Sequence, residues 1–191
     1  MFRLSTLWLL FTSTALGVTP VEVGTGKTQY TLDSLEVLDE TTDKFSFTQI
    51  KQGARTANFI PAPSIIPPID PFSEAYWFRF ALKNTTAEPQ ALKLEVVPRI
   101  TMEAILFIPD TQGNYQKTVS GYVYPANQRP DPVASTAFSI TLAAHQTYTA
   151  YLKLKPFRFQ HPSLVLWSAS AFTTHIAYHH MIYGLFFGAL L

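Results

Sequence analysis

Trp77 and Arg79 stand two apart in a run that alternates its faces, so a strand there points both side chains the same way. Further along, Tyr122, Tyr124, Asn127 and Arg129 crowd into one proline-punctuated stretch. Aromatic rings, planar guanidinium groups and a side-chain amide suit noncovalent recognition: the rings cover apolar faces and the planar donors meet polar edges. These six residues form the candidate ligand-binding set. Each also has a structural reading. Trp77 fits a core on the second face of its sheet, and Arg79 fits a stack on Trp77 or a cross-strand pair with Glu95. Arg129 fits a role in pinning its own loop through backbone carbonyls.

Covalent chemistry finds no footing. The 191 residues contain no cysteine, which excludes a disulfide framework, a thiolate metal site and a cysteine nucleophile. No Gly-x-Ser-x-Gly run occurs, and no pair of carboxylates has a defensible catalytic spacing. Gly24-Thr25-Gly26-Lys27-Thr28 ends like a phosphate-cradling loop, but Val21 stands where the first glycine of that motif belongs. His175 and His179, four apart, would share a helix face beside His180, yet a closed zinc site wants four ligands and no third is identifiable nearby. Their place before an apolar run suits an interfacial belt with Tyr178 and Tyr183. The expectation is therefore no catalytic residue, no metal and no cofactor. Asn84-Thr85-Thr86 is formally a glycosylation sequon and reads equally as a turn.

Composition agrees. Fourteen Lys and Arg against thirteen Asp and Glu leave a net charge of +1, which argues against a broadly basic nucleic-acid binder. Apolar residues make up 47% and charged ones 14%, against about 25% charged in an ordinary soluble domain. Such a chain can bury a core and form one domain.

The elements that position the candidates read as strands. Tyr76, Phe78, Phe80 and Leu82 share one face; Trp77, Arg79, Ala81 and Lys83 share the other. After a turn at residues 84–89, Leu92, Leu94 and Val96 alternate with Lys93 and Glu95, and Pro98 ends that strand. A third runs from Met102 to Ile108. Phe138, Ile140 and Leu142 begin the second half, Tyr148, Ala150, Leu152 and Leu154 continue it, and Leu164 to Ser168 close it. One short helical turn is expected near Phe45 and Phe47. Pro61 to Pro71 holds five prolines and cannot enter a sheet interior. Six or more strands at this spacing predict an all-β, jelly-roll-like β-sandwich.

The two ends read differently. Residues 1–17 have one positive charge, a short apolar run and small residues at Ala15 and Gly17, the layout of a cleaved signal peptide. Met181 to Leu191 is an uncharged run of eleven, about 16 Å of helix or roughly half a hydrocarbon core. It reads as the start of a transmembrane helix that these residues do not complete, or as an amphiphilic anchor. The expected organisation is 1–17 signal peptide, 18–172 sandwich, and 173–191 linker with the beginning of the membrane helix.

An ordered set of residues carries a family resemblance. Tyr76-Trp77-Phe78-Arg79-Phe80 is followed by Asn84, by Leu94-Glu95-Val96, and by Phe107 to Tyr115 with Asp110 and Gly113. Gln128-Arg129-Pro130, Phe138, Tyr151-Leu152-Lys153-Leu154 and Pro162 to Ser168 complete it, ahead of Ile182 to Leu191. From about Leu35 to Leu191 the chain resembles the second type of extracellular domain of bacterial seven-transmembrane receptors with diverse intracellular signalling modules. Two positions depart: Tyr122 follows Gly121 where an acidic residue is frequent, and Lys153 stands where arginine is common.

The resemblance implies a periplasmic sensor on an inner-membrane receptor, with any catalytic output module beyond residue 191 and no enzyme activity in this chain. Because that sensor is similar to carbohydrate-binding modules, it implies a small, carbohydrate-like ligand whose binding is relayed through membrane helices. The expected partners are that ligand and the membrane through the C-terminal helix, with a homodimer among the allowed assemblies and no nucleic acid. The alternative is a secreted or membrane-anchored carbohydrate-binding or adhesion module without a signalling role.

Overall fold

The computed structural model describes residues 18–40, 44–53, 59–62, 75–130, 136–157 and 162–189. The signal-peptide segment, most of the proline-rich stretch, His161 and the last two leucines lie outside the described residues.

The strands are β1 (Val21–Val23), β2 (Gln29–Tyr30), β3 (Glu36–Glu40), β4 (Ile60–Pro61), β5 (Ala75–Asn84), β6 (Gln90–Val97), β7 (Glu103–Pro109), β8 (Tyr115–Ser120), β9 (Thr136–Leu142), β10 (Thr147–Lys155) and β11 (Ser163–Ser168). Helix α1 (Phe47–Lys51) precedes β4, and α2 (Ala169–Gly188) follows β11. One sheet runs β4-β3-β5-β10-β7-β8, with β1 added parallel to β5; the other runs β2-β11-β6-β9. From β5 onward the chain steps between the sheets at nearly every connection, the crossing habit of a jelly roll. The expected all-β sandwich is the observed fold.

Period-two patterning builds the interior. Tyr76, Phe78, Phe80 and Leu82 of β5 face Leu92, Leu94, Val96, Phe138, Ile140 and Leu166 of the other sheet in one apolar core. The register of β5 against β10 pairs Phe78 with Leu152 and Tyr76 with Leu154, so both strands send their apolar sets inward.

Asn84 closes the β5–β6 turn. It is fully buried, and its amide donates to the carbonyls of Glu88 (2.8 Å), Leu142 (3.2 Å) and Ala143 (3.1 Å), while its oxygen accepts from Thr86. A side chain committed on both ends is the turn's keystone, and the sequon is read as a turn.

Both sheets also bury part of their outer faces. On the β5 side a second apolar cluster forms from Leu38, Ile50, Phe59, Trp77 and Tyr151, with Phe45, Phe47 and Phe107 packed against it. The α1 segment is its cover. Ser46 caps α1 with a reciprocal box to Gln49, which fixes the short helix so that Phe47 stacks on Phe107 at 4.1 Å. On the other sheet α2 begins directly after β11, capped by Ser168, and seats Phe172 and His175 against that sheet.

Candidate functional site

The six candidates divide between two places. Trp77 and Arg79 do share a face, the outer face of the β5 sheet under the α1 cover. The indole of Trp77 is 1% exposed, so it has no face open to a ligand ring. Its Nε1 donates to Glu40 Oε1 at 2.9 Å, and Lys153 Nζ lies 2.7 Å from Glu40 Oε2 and 5.3 Å above the Trp77 ring. Glu40 also accepts from the backbone N–H of Phe45 at 2.8 Å, tying the α1 segment to the sheet. Arg79 pairs with Glu36, whose Oε2 accepts from its Nε at 2.6 Å, and stacks over Phe59 at 4.5 Å. Its carboxylate is thus Glu36, not Glu95. Register explains this: Glu36 sits directly opposite Arg79 on the neighbouring strand, whereas β6 with Glu95 belongs to the other sheet. Both side chains are spent on packing. Lys153, one of the two positions that depart from the family pattern, is committed to Glu40.

Tyr122 and Arg129 lie elsewhere, in the β8–β9 connection. On the sheet, β5 and β8 are separated by β10 and β7, so the strand from which that loop leaves lies roughly 14 Å from β5 at about 4.8 Å per strand. Tyr122 and Arg129 line a cavity of about 240 Å³ with Arg99 and Thr101 of the β6–β7 connector, Ser120 at the end of β8 and Thr136 at the start of β9. Backbone bonds hold its walls together. Tyr122 N–H donates to Thr101 O at 2.9 Å, Val123 N–H to Met102 O at 3.1 Å, and Thr136 N–H to Arg99 O at 3.0 Å. Gly121 makes the turn into the wall at φ 108°, where an added Cβ would meet Met102 O at 2.7 Å. Only glycine tolerates both the backbone angle and that approach.

The remaining candidates shape this loop. Tyr124 Oη donates to Glu103 Oε1 at 2.7 Å, and burial together with that carboxylate pushes its pKa up to about 12. Arg129 Nε donates to Tyr124 O at 2.8 Å, which is the loop-pinning contact. Asn127 is exposed on a 3₁₀ turn, Ala126–Gln128.

One wall of the cavity reaches the C-terminal helix. Arg99 Nε donates to Glu95 Oε1 at 3.0 Å, and its terminal nitrogen contacts His175 Nε2 at 2.9 Å. Guanidinium nitrogens only donate, so Nε2 accepts here and the ring proton belongs on Nδ1. Glu95, 2% exposed, also accepts from Trp167 Nε1 at 3.0 Å, and His175 stacks on Trp167 at 4.6 Å. A buried carboxylate held by a guanidinium and an indole is well satisfied. Nothing in the local spacing announces this group, because Arg99 and His175 are 76 residues apart.

A larger depression of about 690 Å³ lies at the N-terminal edge, lined in part by Glu22, Lys27, Gln29 and Asp33. Strand β2 follows Lys27-Thr28 there, not the helix that a phosphate-cradling loop requires. Among the described residues no cluster of three or more His, Asp or Glu could hold a metal ion. Among them, too, no helix is long and apolar enough to cross a membrane.

A comparison with curated proteins gave no match. A family model described as 7TMR-DISM extracellular 2 matches residues 32–168, the span from just before β3 to the end of β11. That stretch contains both packed faces, the cavity and the Arg99–Glu95–Trp167 group, and the chain belongs to this family of extracellular sensing domains of membrane receptors, which lie outside the cytoplasm.

Proposed function

We propose that the domain senses a small carbohydrate-like molecule in the cavity between the β6–β7 connector and the β8–β9 loop, and that α2 relays the event toward a membrane. The observation that carries this reading is the double role of Arg99, which lines the cavity and bonds His175 of α2. A ligand that shifts Arg99 has differential contact with two arrangements of α2, which a population shift requires. The cavity holds roughly eight water volumes at about 30 Å³ each, suitable for a single sugar ring. Tyr122, 71% exposed at the rim, offers a ring face. The exposed Leu185, Phe186 and Phe187 late in α2 support attachment to a bilayer. The domain itself performs no catalysis on this reading, and a bacterial inner membrane with the domain in the periplasm is its setting.

The test is a thermal-shift screen of the full chain in nonionic detergent against sugars, followed by Trp fluorescence. Ligand bound only to the native state raises the melting temperature by mass action. A hit lost in Tyr122→Ala, with an emission change that His175→Ala abolishes while binding persists, supports sensing and relay. A hit that leaves Trp167 emission unchanged favours an anchored binding module without signalling. No hit with a cooperatively folded chain overturns the reading.

A further inference from the structure

Resting on the reading of this cavity as the sensor site, we propose that its ligand is acidic: a polyhydroxylated carboxylate of sugar-acid type, with the carboxylate on Arg129 and a hydroxyl on Thr101. One observation carries the charge and a second carries the hydroxyl.

The first is charge. Two guanidinium groups line one small cavity. Arg99 is neutralised there by Glu95, which lies within 3.0 Å of its Nε. Arg129 is different: among the described residues it makes no ion pair, and its Nε is used by the carbonyl of Tyr124. Glu103, which the same loop reaches, is engaged by the Tyr124 hydroxyl. Among the described residues the cavity therefore has one guanidinium without a counter-charge, held by its Nε so that the outer nitrogens form a fork. That fork matches a carboxylate in geometry and in sign. A neutral sugar leaves it without the charge it complements.

The second is an orphan. Thr101 is 1% exposed, and its Oγ1 is a buried side-chain oxygen without a hydrogen-bond partner among the described residues. A buried hydroxyl without a partner costs free energy, which a ligand hydroxyl would recover once rotation about χ1 turns Oγ1 to the cavity wall. Thr101 lines the same cavity as Arg129, beside the buried Ser120. One anionic end and one hydroxyl at least are thus specified by the protein, and Tyr122 and Ile100 at the rim cover the apolar face of whatever lies between.

The experiment is isothermal titration of the full chain in nonionic detergent with glucuronate, galacturonate and gluconate, and with glucose and galactose as neutral counterparts. The expected result is binding of at least one acid, at least about tenfold tighter than its neutral counterpart and weakened by salt, since a charge-assisted bond is worth roughly that much. Arg129→Gln removes the preference for the acid. Thr101→Val, which keeps shape and removes the hydroxyl, weakens acid and neutral sugar alike by several-fold. Arg129→Lys, retaining charge without the fork, recovers part of the preference and guards against loss through misfolding, which far-ultraviolet circular dichroism of each variant also monitors. Neutral sugars binding as tightly as acids, with Arg129→Gln silent, overturns the acidic ligand and leaves the sugar sensor standing. Silence of all five probes overturns both.

Discussion

Glu40 is the sharpest test of how the outer face of the β5 sheet is held. Its Oε1 accepts from Trp77 Nε1 and from Phe45 N–H, and its Oε2 faces Lys153 Nζ at 2.7 Å. Glu40→Gln keeps one oxygen for the two neutral donors and places an amide N–H against the ammonium. Removing one partner of a buried pair costs about 3–5 kcal/mol. The Lys153 side chain is 20% exposed, so water shares the burden and the lower end, about 3 kcal/mol, applies. At about 2–4 °C per kcal/mol for a domain of this size, the melting temperature falls by roughly 6–12 °C. Lys153→Met strands the carboxylate and costs a similar amount. The double variant pairs a neutral amide with an apolar side chain and loses about 1 kcal/mol or less, so the two changes couple by several kcal/mol. Urea unfolding followed by Trp emission, with a constant m-value, supplies the four corners of the cycle. Single changes that each cost under about 1 kcal/mol and simply add in the double variant would refute the argument.

Three further outcomes follow from particular contacts. Asn84→Ala strips partners from the buried carbonyl of Leu142 and the part-buried carbonyl of Ala143 and is expected to cost about 3 kcal/mol in chemical unfolding; a cost under about 0.5 kcal/mol contradicts the keystone role. Gly121→Ala forces a Cβ against Met102 O at positive φ and is expected to destabilise by at least about 2 kcal/mol, visible as a lower denaturation midpoint. Burial, with Tyr151 nearby, pushes the Tyr115 pKa up to about 12, and burial with the bond to Glu103 pushes Tyr124 to about 12. A raised folded-state value means the native state keeps its proton longer than the unfolded chain. Stability from these phenols is therefore full below their ordinary value of 10.0 and is lost as pH rises toward about 12. Unfolding midpoints that hold steady across that window in the native chain, or fall equally in a Tyr115→Phe, Tyr124→Phe variant, count against this.

The longer strands were legible because the inward face imposes a period of two, plain in β6, β9 and β10 and kept by the sequence of β5 although its outer face is buried as well. Strand β8 escapes such a reading because polar side chains occupy both its faces, and β1 to β4 because two to five residues are too few to display a period. The turn at Asn84 was legible from turn chemistry, and helix Phe47–Lys51 falls where one helical turn was expected near Phe45 and Phe47, its Ser46–Gln49 cap being seen only in the structure. Arg129 reads as a loop pin from its place among prolines, which is the role its Nε takes.

Composition and alternation alone determined an all-β domain with two inward-facing strand sets, with Trp77 and Arg79 on one shared face. What those two side chains do was decided by the tertiary structure. Glu36 and Glu40 lie 43 and 37 residues upstream, and only pairing β3 beside β5 brings them onto that face. The cavity is also tertiary, since Arg99, Thr101, Tyr122 and Arg129 come from two connections that meet only when β7 pairs with β8 and Thr136 bonds back to Arg99. The physical reason is range. Alternation is a local consequence of the pleat and is written into neighbours along the chain, while charge neutralisation and cavity shape depend on groups far apart in sequence whose meeting is set by which strands pair.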